Sequence, residues 1–138
     1  YYPYINELCA AEKGKGAFIN GKRTRVSKIN NLEFALVSHS AISHFNKIGK
    51  IKNLTIISRY TRALRNFSAL NFNLLLKGKI DAVISARGGI YDFAAPAIIT
   101  EEAGGKWSNF DGEKKLDSGN CVFTNGKIHD QILKILNE

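Results

Sequence analysis

A mixed α/β fold, with helices packed on a sheet, is what the sequence predicts, and three observations predict it. Short β-branched or aromatic runs alternate with segments of helical periodicity, and glycine-centred turns separate them. The apolar fraction, 44% of 138 residues against 23% charged, is enough to form a core for one compact domain over residues 1–138. Strands outnumber helices but alternate with them, and no internal repeat or linker divides the chain.

The first segment reads as strands in a meander. Residues 4–11 mix apolar and polar side chains, Gly14-Lys15-Gly16 interrupts them, and Asn20-Gly21 between Ala17-Phe18-Ile19 and residues 23–26 is a type I′ hairpin signal. Residues 32–38 supply a short apolar strand around Phe34-Ala35-Leu36-Val37. A surface helix is expected over 41–52, with Gly49 and its flanking lysines working against it. Residues 55–58 read as a short buried strand. Over 62–77, Ala63, Phe67, Leu70 and Leu74, with Leu64 and Leu75, fall on one helical face. Gly78 stops that helix at C′, where a left-handed backbone costs least. Residues 81–86 form a β-branched strand, and Gly88-Gly89 permits a sharp turn into a second helix over 93–103, capped by Gly104-Gly105. Residues 106–110 and 120–124 are strand-like around an Asp111-Gly112 turn. An amphipathic helix over 128–136 closes the chain, with His129 expected to face solvent.

Composition excludes several classes. Cys9 and Cys121 lie far apart, without CxxC or Cys/His spacing, so neither a disulfide framework nor a zinc site is indicated and a reducing cytoplasm fits. No run of about 18 apolar residues could span a membrane, and Tyr1-Tyr2-Pro3-Tyr4 does not open a signal peptide. The absence of methionine makes the chain read as a fragment or a processed product. A net charge of +8 and a pI near 9.6 raise the question of a polyanionic partner. The lysines are scattered, however, and no RNP, helix-turn-helix or zinc-finger pattern accompanies them. A solvated basic surface is therefore expected, and a nucleic-acid partner is not. Arg59, Arg62 and Arg65, spaced three apart, read as a solvated helix face, with an anionic-substrate rim or a subunit contact as the alternative.

Asp92 is the residue with the clearest chemical promise. It follows a glycine-rich turn and directly precedes a helical pattern, so its carboxylate projects from a helix N-terminus. An N-capping role accounts for that position; so does metal binding, but a hard divalent cation needs several oxygen ligands and one aspartate supplies too few. His39 and His44, near Ser38 and Ser40, suggest a nucleophile pair but lack an acidic orienting partner, so a surface turn is expected. Glu101 and Glu102 are expected to support helix packing or surface charge.

Tyr91-Asp92-Phe93-Ala94-Ala95-Pro96, continuing through Ala97-Ile98-Ile99-Thr100 to Glu101-Glu102-Ala103-Gly104-Gly105, resembles the C-terminal signature of the inositol monophosphatase family. That signature is Trp-Asp-x-Ala-(Ala/Gly), then an apolar helix ending in Glu-Ala-Gly-Gly. Upstream, Asn6-Glu7-Leu8, Gly14-Lys15-Gly16-Ala17-Phe18, Asn20-Gly21 and Val26-Ser27 are similar to the family stretch before it, as is Gly78-Lys79-Ile80-Asp81 to its Gly-x-x-Asp. The resemblance covers nearly the whole chain and implies the C-terminal α/β domain of a layered αβαβα fold. It further implies a Mg²⁺-dependent phosphomonoesterase acting on a small phosphorylated substrate, usually as a homodimer, in which Asp92 is a metal ligand. The family's other ligands come from Gly-Asp-x-Glu and Asp-Pro-(Ile/Leu)-Asp-Gly-Thr motifs. Neither occurs here, so an N-terminal half is implied as partner, and this chain alone is expected to be inactive. Substrate-binding positions fall by correspondence at Ser68, within the bulkier Asn66-Phe67-Ser68, and at Ser85, where some members carry an acid. Tyr91 replaces the family tryptophan, and Pro96 is similar to members acting on histidinol phosphate. A non-catalytic scaffold binding polyanions through its basic surface is the rival reading.

Overall fold

A computed structural model describes all residues 1–138. After a 3-10 turn at Pro3–Ile5, β1 (Cys9–Glu12), β2 (Gly16–Ile19) and β3 (Lys22–Thr24) form an antiparallel three-stranded sheet. The β2–β3 turn is the predicted type I′: Asn20 and Gly21 both have positive φ, 49° and 76°, and Asn20 Oδ1 accepts from Leu8 N at 2.8 Å.

The second sheet has five strands in the order β5-β4-β6-β8-β7. They are β4 (Leu36–His39), β5 (Ala63–Arg65), β6 (Ala82–Ser85), β7 (Lys106–Ser108) and β8 (Cys121–Thr124). β5, β4 and β6 run parallel, and β8 and β7 complete the sheet antiparallel. Five helices, α1 (Ile42–Lys47), α2 (Ile51–Tyr60), α3 (Asn71–Leu76), α4 (Ile90–Glu102) and α5 (His129–Leu136), cover it.

Strand alternation divides the core into two sides. Val37, Ala82, Ile84 and Val122 meet Phe45 of α1, Leu54 and Ile57 of α2, and Ile132 and Leu136 of α5. On the opposite face Val83, Cys121 and Phe123 meet Leu75 of α3 and Phe93 and Ala97 of α4. Phe123 is fully buried, with Phe72 edge-on at 4.9 Å between ring centroids and Phe93 tilted against it at 5.9 Å. The far side of α4 packs Ile99 and Ala103 against Ala17, Cys9 and Ala11 of the small sheet. The layers are therefore helix, sheet, helix, sheet, with α4 held between the two sheets.

Several elements differ from expectation, each for a local reason. Residues 41–52 are not one helix: Gly49, with φ of 71°, breaks them into α1 and the start of α2. Residues 55–58 are not a strand but the middle of α2, whose buried Leu54 and Ile57 keep helical spacing despite the β-branched run. Residues 62–77 are not one helix. Their start pairs in parallel with β4, and only Asn71–Leu76 is α-helical, after a 3-10 turn at Ser68–Leu70. Satisfying the open edge of β4 outweighed the periodicity. β1 occupies only the end of 4–11, a 3-10 turn at Leu32–Phe34 precedes β4, and β7 stops at Ser108. Gly78 does stand at C′ of α3 with φ of 65°.

Candidate active site

The C-terminal ends of β5, β4 and β6 open on one edge of the sheet, where parallel strands of α/β proteins leave a crevice. The loops after these strands are tied together. Ala86 N donates to Ser40 Oγ at 3.0 Å, joining the loop after β6 to that after β4. Ser38 Oγ donates to Asn71 Oδ1 at 2.5 Å and accepts from Phe67 N at 3.3 Å, joining β4 to the segment after β5.

Asp92 sits on this edge as the third residue of α4. The turn before it needs glycine at 88, because a Cβ there would lie 2.3 Å from the Phe93 ring. Gly89 is the N-cap, and its N–H donates to Asp92 Oδ2 at 2.8 Å, so the carboxylate hooks back over the first turn. The capping role is thus real, but exercised from the third helical position rather than from the cap. One carboxylate oxygen is engaged, the side chain is exposed, and the other oxygen carries no hydrogen bond.

Ser85 ends β6 and its hydroxyl donates to the Arg87 carbonyl at 2.8 Å. Ser68 is exposed, with φ of 50°, and its N–H donates to Asn66 Oδ1 at 2.7 Å. Both therefore leave the same strand edge as Asp92. No Ser–His nucleophile pair forms: His39 Nδ1 donates to the Ser40 carbonyl at 2.6 Å, while the hydroxyls of Ser38 and Ser40 bind the loops. No three His, Cys, Asp or Glu side chains lie close enough to hold a metal ion, so Asp92 stands without a second carboxylate or imidazole and this chain's residues do not by themselves form a divalent-cation site.

Four further polar residues organise the scaffold: Glu102, Asp81, Asn125 and His129. Glu102 accepts from Gly14 N and Gly16 N, both at 2.8 Å, clamping the β1–β2 turn to the end of α4. These two backbone donors hold its carboxyl below the usual range. Asp81, 5% exposed, accepts from Leu36 N at 2.7 Å and from Ser27 Oγ. Asn125 Nδ2 in turn donates to Ser27 Oγ at 2.8 Å and to the Ile29 carbonyl at 2.7 Å, so one buried knot joins three distant segments. His129 does not face solvent. It is fully buried, with Nε2 2.9 Å from Ser108 Oγ and Nδ1 3.1 Å from Thr124 Oγ1. Ser108 spends its proton on the Asn109 carbonyl, which makes Nε2–H the donor and Nδ1 the acceptor. Burial, aided by Lys106, pushes the His129 pKa down to about 4. The signals were present: the Glu of Glu-Ala-Gly-Gly, the Asp of Gly-x-x-Asp, and the position of His129 three and seven residues before Ile132 and Leu136.

Comparison with known proteins agrees with this geometry. The sequence profile described as "Inositol monophosphatase family" matches residues 1–138. A fructose-1,6-bisphosphatase/inositol-1-monophosphatase of Thermotoga maritima is 38% identical over 139 residues, covering 99% of this chain and 53% of that protein. A histidinol-phosphatase of Streptomyces coelicolor is 31% identical over 154 residues, covering 100% of this chain and 57% of the relative. Among solved structures, a Thermotoga maritima IMPase superposes with a TM-score of 0.86 at 36% identity, covering 98% of this chain and 53% of the other. The chain spans about half the length of the curated relatives it matches.

Proposed function

The chain belongs to the inositol monophosphatase family, and on that premise we propose that it forms the C-terminal part of a cytoplasmic, Mg²⁺-dependent phosphomonoesterase. The substrate is a small phosphorylated alcohol, such as inositol monophosphate or histidinol phosphate; relatives named for each chemistry support this range. The observation that carries the reading is Asp92: a carboxylate on a helix N-terminus, at the C-terminal edge of parallel strands, with one oxygen fixed by Gly89 N–H and the other unbonded. Bound Mg²⁺ supplies charge neutralisation on the phosphate and a lowered pKa for a ligated water.

This chain's residues contribute position and shape. Asp92 holds one coordination place, and its link to Gly89 N–H fixes the carboxylate plane before any ligand arrives. Ser68 and Ser85 contact the alcohol portion. The Ser85 hydroxyl, with its proton on the Arg87 carbonyl, presents lone pairs that accept from a substrate hydroxyl.

The remaining ligands come from the half of the protein that the relatives possess beyond this span. α4 supports this: its run from Phe93 to Ile99 is wholly apolar, yet Ile90, Tyr91 and Ile98 remain 52%, 101% and 38% exposed. A helix of that composition belongs in an interior. Free Cys9 and Cys121 suit a reducing compartment, and homodimerisation follows the family habit. The test is phosphate release from a panel of phosphomonoesters, with and without Mg²⁺, by the full-length polypeptide and by the 138-residue chain. Metal-dependent release by the former alone supports the reading; release by neither, on any ester, removes it.

A further inference from the structure

We propose that the α1–α2 face of the molecule, remote from the α4 side of the sheet, is a binding surface for single-stranded nucleic acid. The starting point is where the charge lies. The chain carries twenty basic and twelve acidic residues; between Phe34 and Ile80 there are eight basic and none acidic, which leaves twelve of each in the rest. The whole net charge of +8 thus resides in one segment, an asymmetry that the even spacing of lysines along the sequence conceals.

The fold displays much of that charge together. On α2 the exposed positions include Lys52, Thr55 and Arg59, at i, i+3 and i+7, so Lys52 and Arg59 share one face about 10 Å apart along the axis. Lys47 at the end of α1 and Arg62 just past α2, both exposed, extend the strip at either end. None of these four is ion-paired; the structure's four salt bridges use Lys15, Lys77, Lys106 and Lys114 instead. The arrangement also opposes helix electrostatics. α2 has no acidic residue in its first turn and no capping side chain, and Lys52 stands where the dipole favours an anion. A face optimised for stability alone would not place a cation there.

At the C-terminal end of α2 the strip runs into an open cleft of 590 Å³ whose lining includes Arg59, Tyr60 and Lys134, with Glu33 and Glu138 also on its wall. Tyr60 is 61% exposed beside Arg59. A free aromatic ring next to unpaired cations is the combination by which single strands are held, with bases stacking on the ring and phosphates meeting the charges. Duplex DNA or an anionic membrane would use the charge but not the ring.

The test is an anisotropy titration of the 138-residue chain with a fluorescent single-stranded RNA of about 12 nucleotides, over a range of salt. Replacing Lys52, Arg59 and Arg62 by alanine should reduce the slope of log K against log salt by about 2. Tyr60→Ala should weaken binding about tenfold with the slope unchanged. A control set on other faces, Lys13→Ala, Lys22→Ala and Lys115→Ala, should do neither. Equal losses in the two charge sets, no effect of Tyr60→Ala, or tighter binding to phosphatidylserine vesicles at equal phosphate concentration would each overturn the proposal. Because the variants leave Asp92 untouched and the readout is binding, the result stands apart from the phosphatase reading.

Discussion

Single residues illustrate how a polar group is bought into a core only by complete bonding. His129 is fully buried and held neutral between Ser108 and Thr124. Its pKa falls to about 4 in the folded chain from 6.5, so the unfolded chain binds the extra proton between those values. Stability is therefore fully present above pH 6.5 and declines as pH falls toward 4, by about 3 kcal/mol. Urea unfolding across that window should show the slope, and His129→Gln should abolish it whatever its own stability. Asp81 makes the opposite case, a buried acceptor whose removal strands the Leu36 N–H and the Ser27 hydroxyl. Asp81→Ala should cost about 3 kcal/mol, read as a lower urea midpoint at unchanged m-value. The place of Asp92 at a helix start is legible in the sequence, whereas its bond to Gly89 N–H is not, because the helix begins three residues earlier than the apolar pattern suggests. His129, expected to face solvent, is instead buried, because it shares the face of α5 that carries Ile132 and Leu136.

Among the elements, those with a single period were readable and those with two competing instructions were not. β6, α4, α5 and the Asn20-Gly21 hairpin lie where the sequence puts them, give or take a few residues. α2 was obscured by Thr55, Ile56 and Ile57, whose β-branching suggests a strand, although Leu54 and Ile57 face the sheet at helical spacing. β5 was hidden within an apparent helix, since only its pairing with β4, over Leu36↔Ala63 to Ser38↔Arg65, selects the extended form. The turn into α4 is where element geometry reaches the site. Gly88→Ala would press a methyl into the Phe93 ring, shifting the first turn that aims Asp92. We expect a loss of about 2 kcal/mol, measured by thermal unfolding, together with a higher Mg²⁺ requirement for phosphate release by the full-length polypeptide, while Gly89→Ala, with open space around its Cβ, should be milder.

On the scale of the whole molecule, the layering explains both what is stable and what is unfinished. The five-stranded sheet is covered on both faces, and the small sheet packs on the far side of α4. The α4 surface beside Asp92 leaves Ile90 and Tyr91 exposed, at the strand edge that carries Ser68 and Ser85. A chain that spans about half of each relative thus has its own core and presents a single exposed carboxylate, Asp92, at the start of α4. Sequence motifs revealed that carboxylate; only the layers reveal that it stands on a face fitted for cover. The most direct measurement is Mg²⁺-dependent phosphate release by the full-length polypeptide and by its Asp92→Asn variant. The variant keeps an acceptor for the Gly89 N–H but loses the ligand charge, so a fall in kcat/KM of about a hundredfold or more, partly recovered at high Mg²⁺, is predicted. Equal activity and equal Mg²⁺ dependence in the two proteins would contradict Asp92 as a metal ligand.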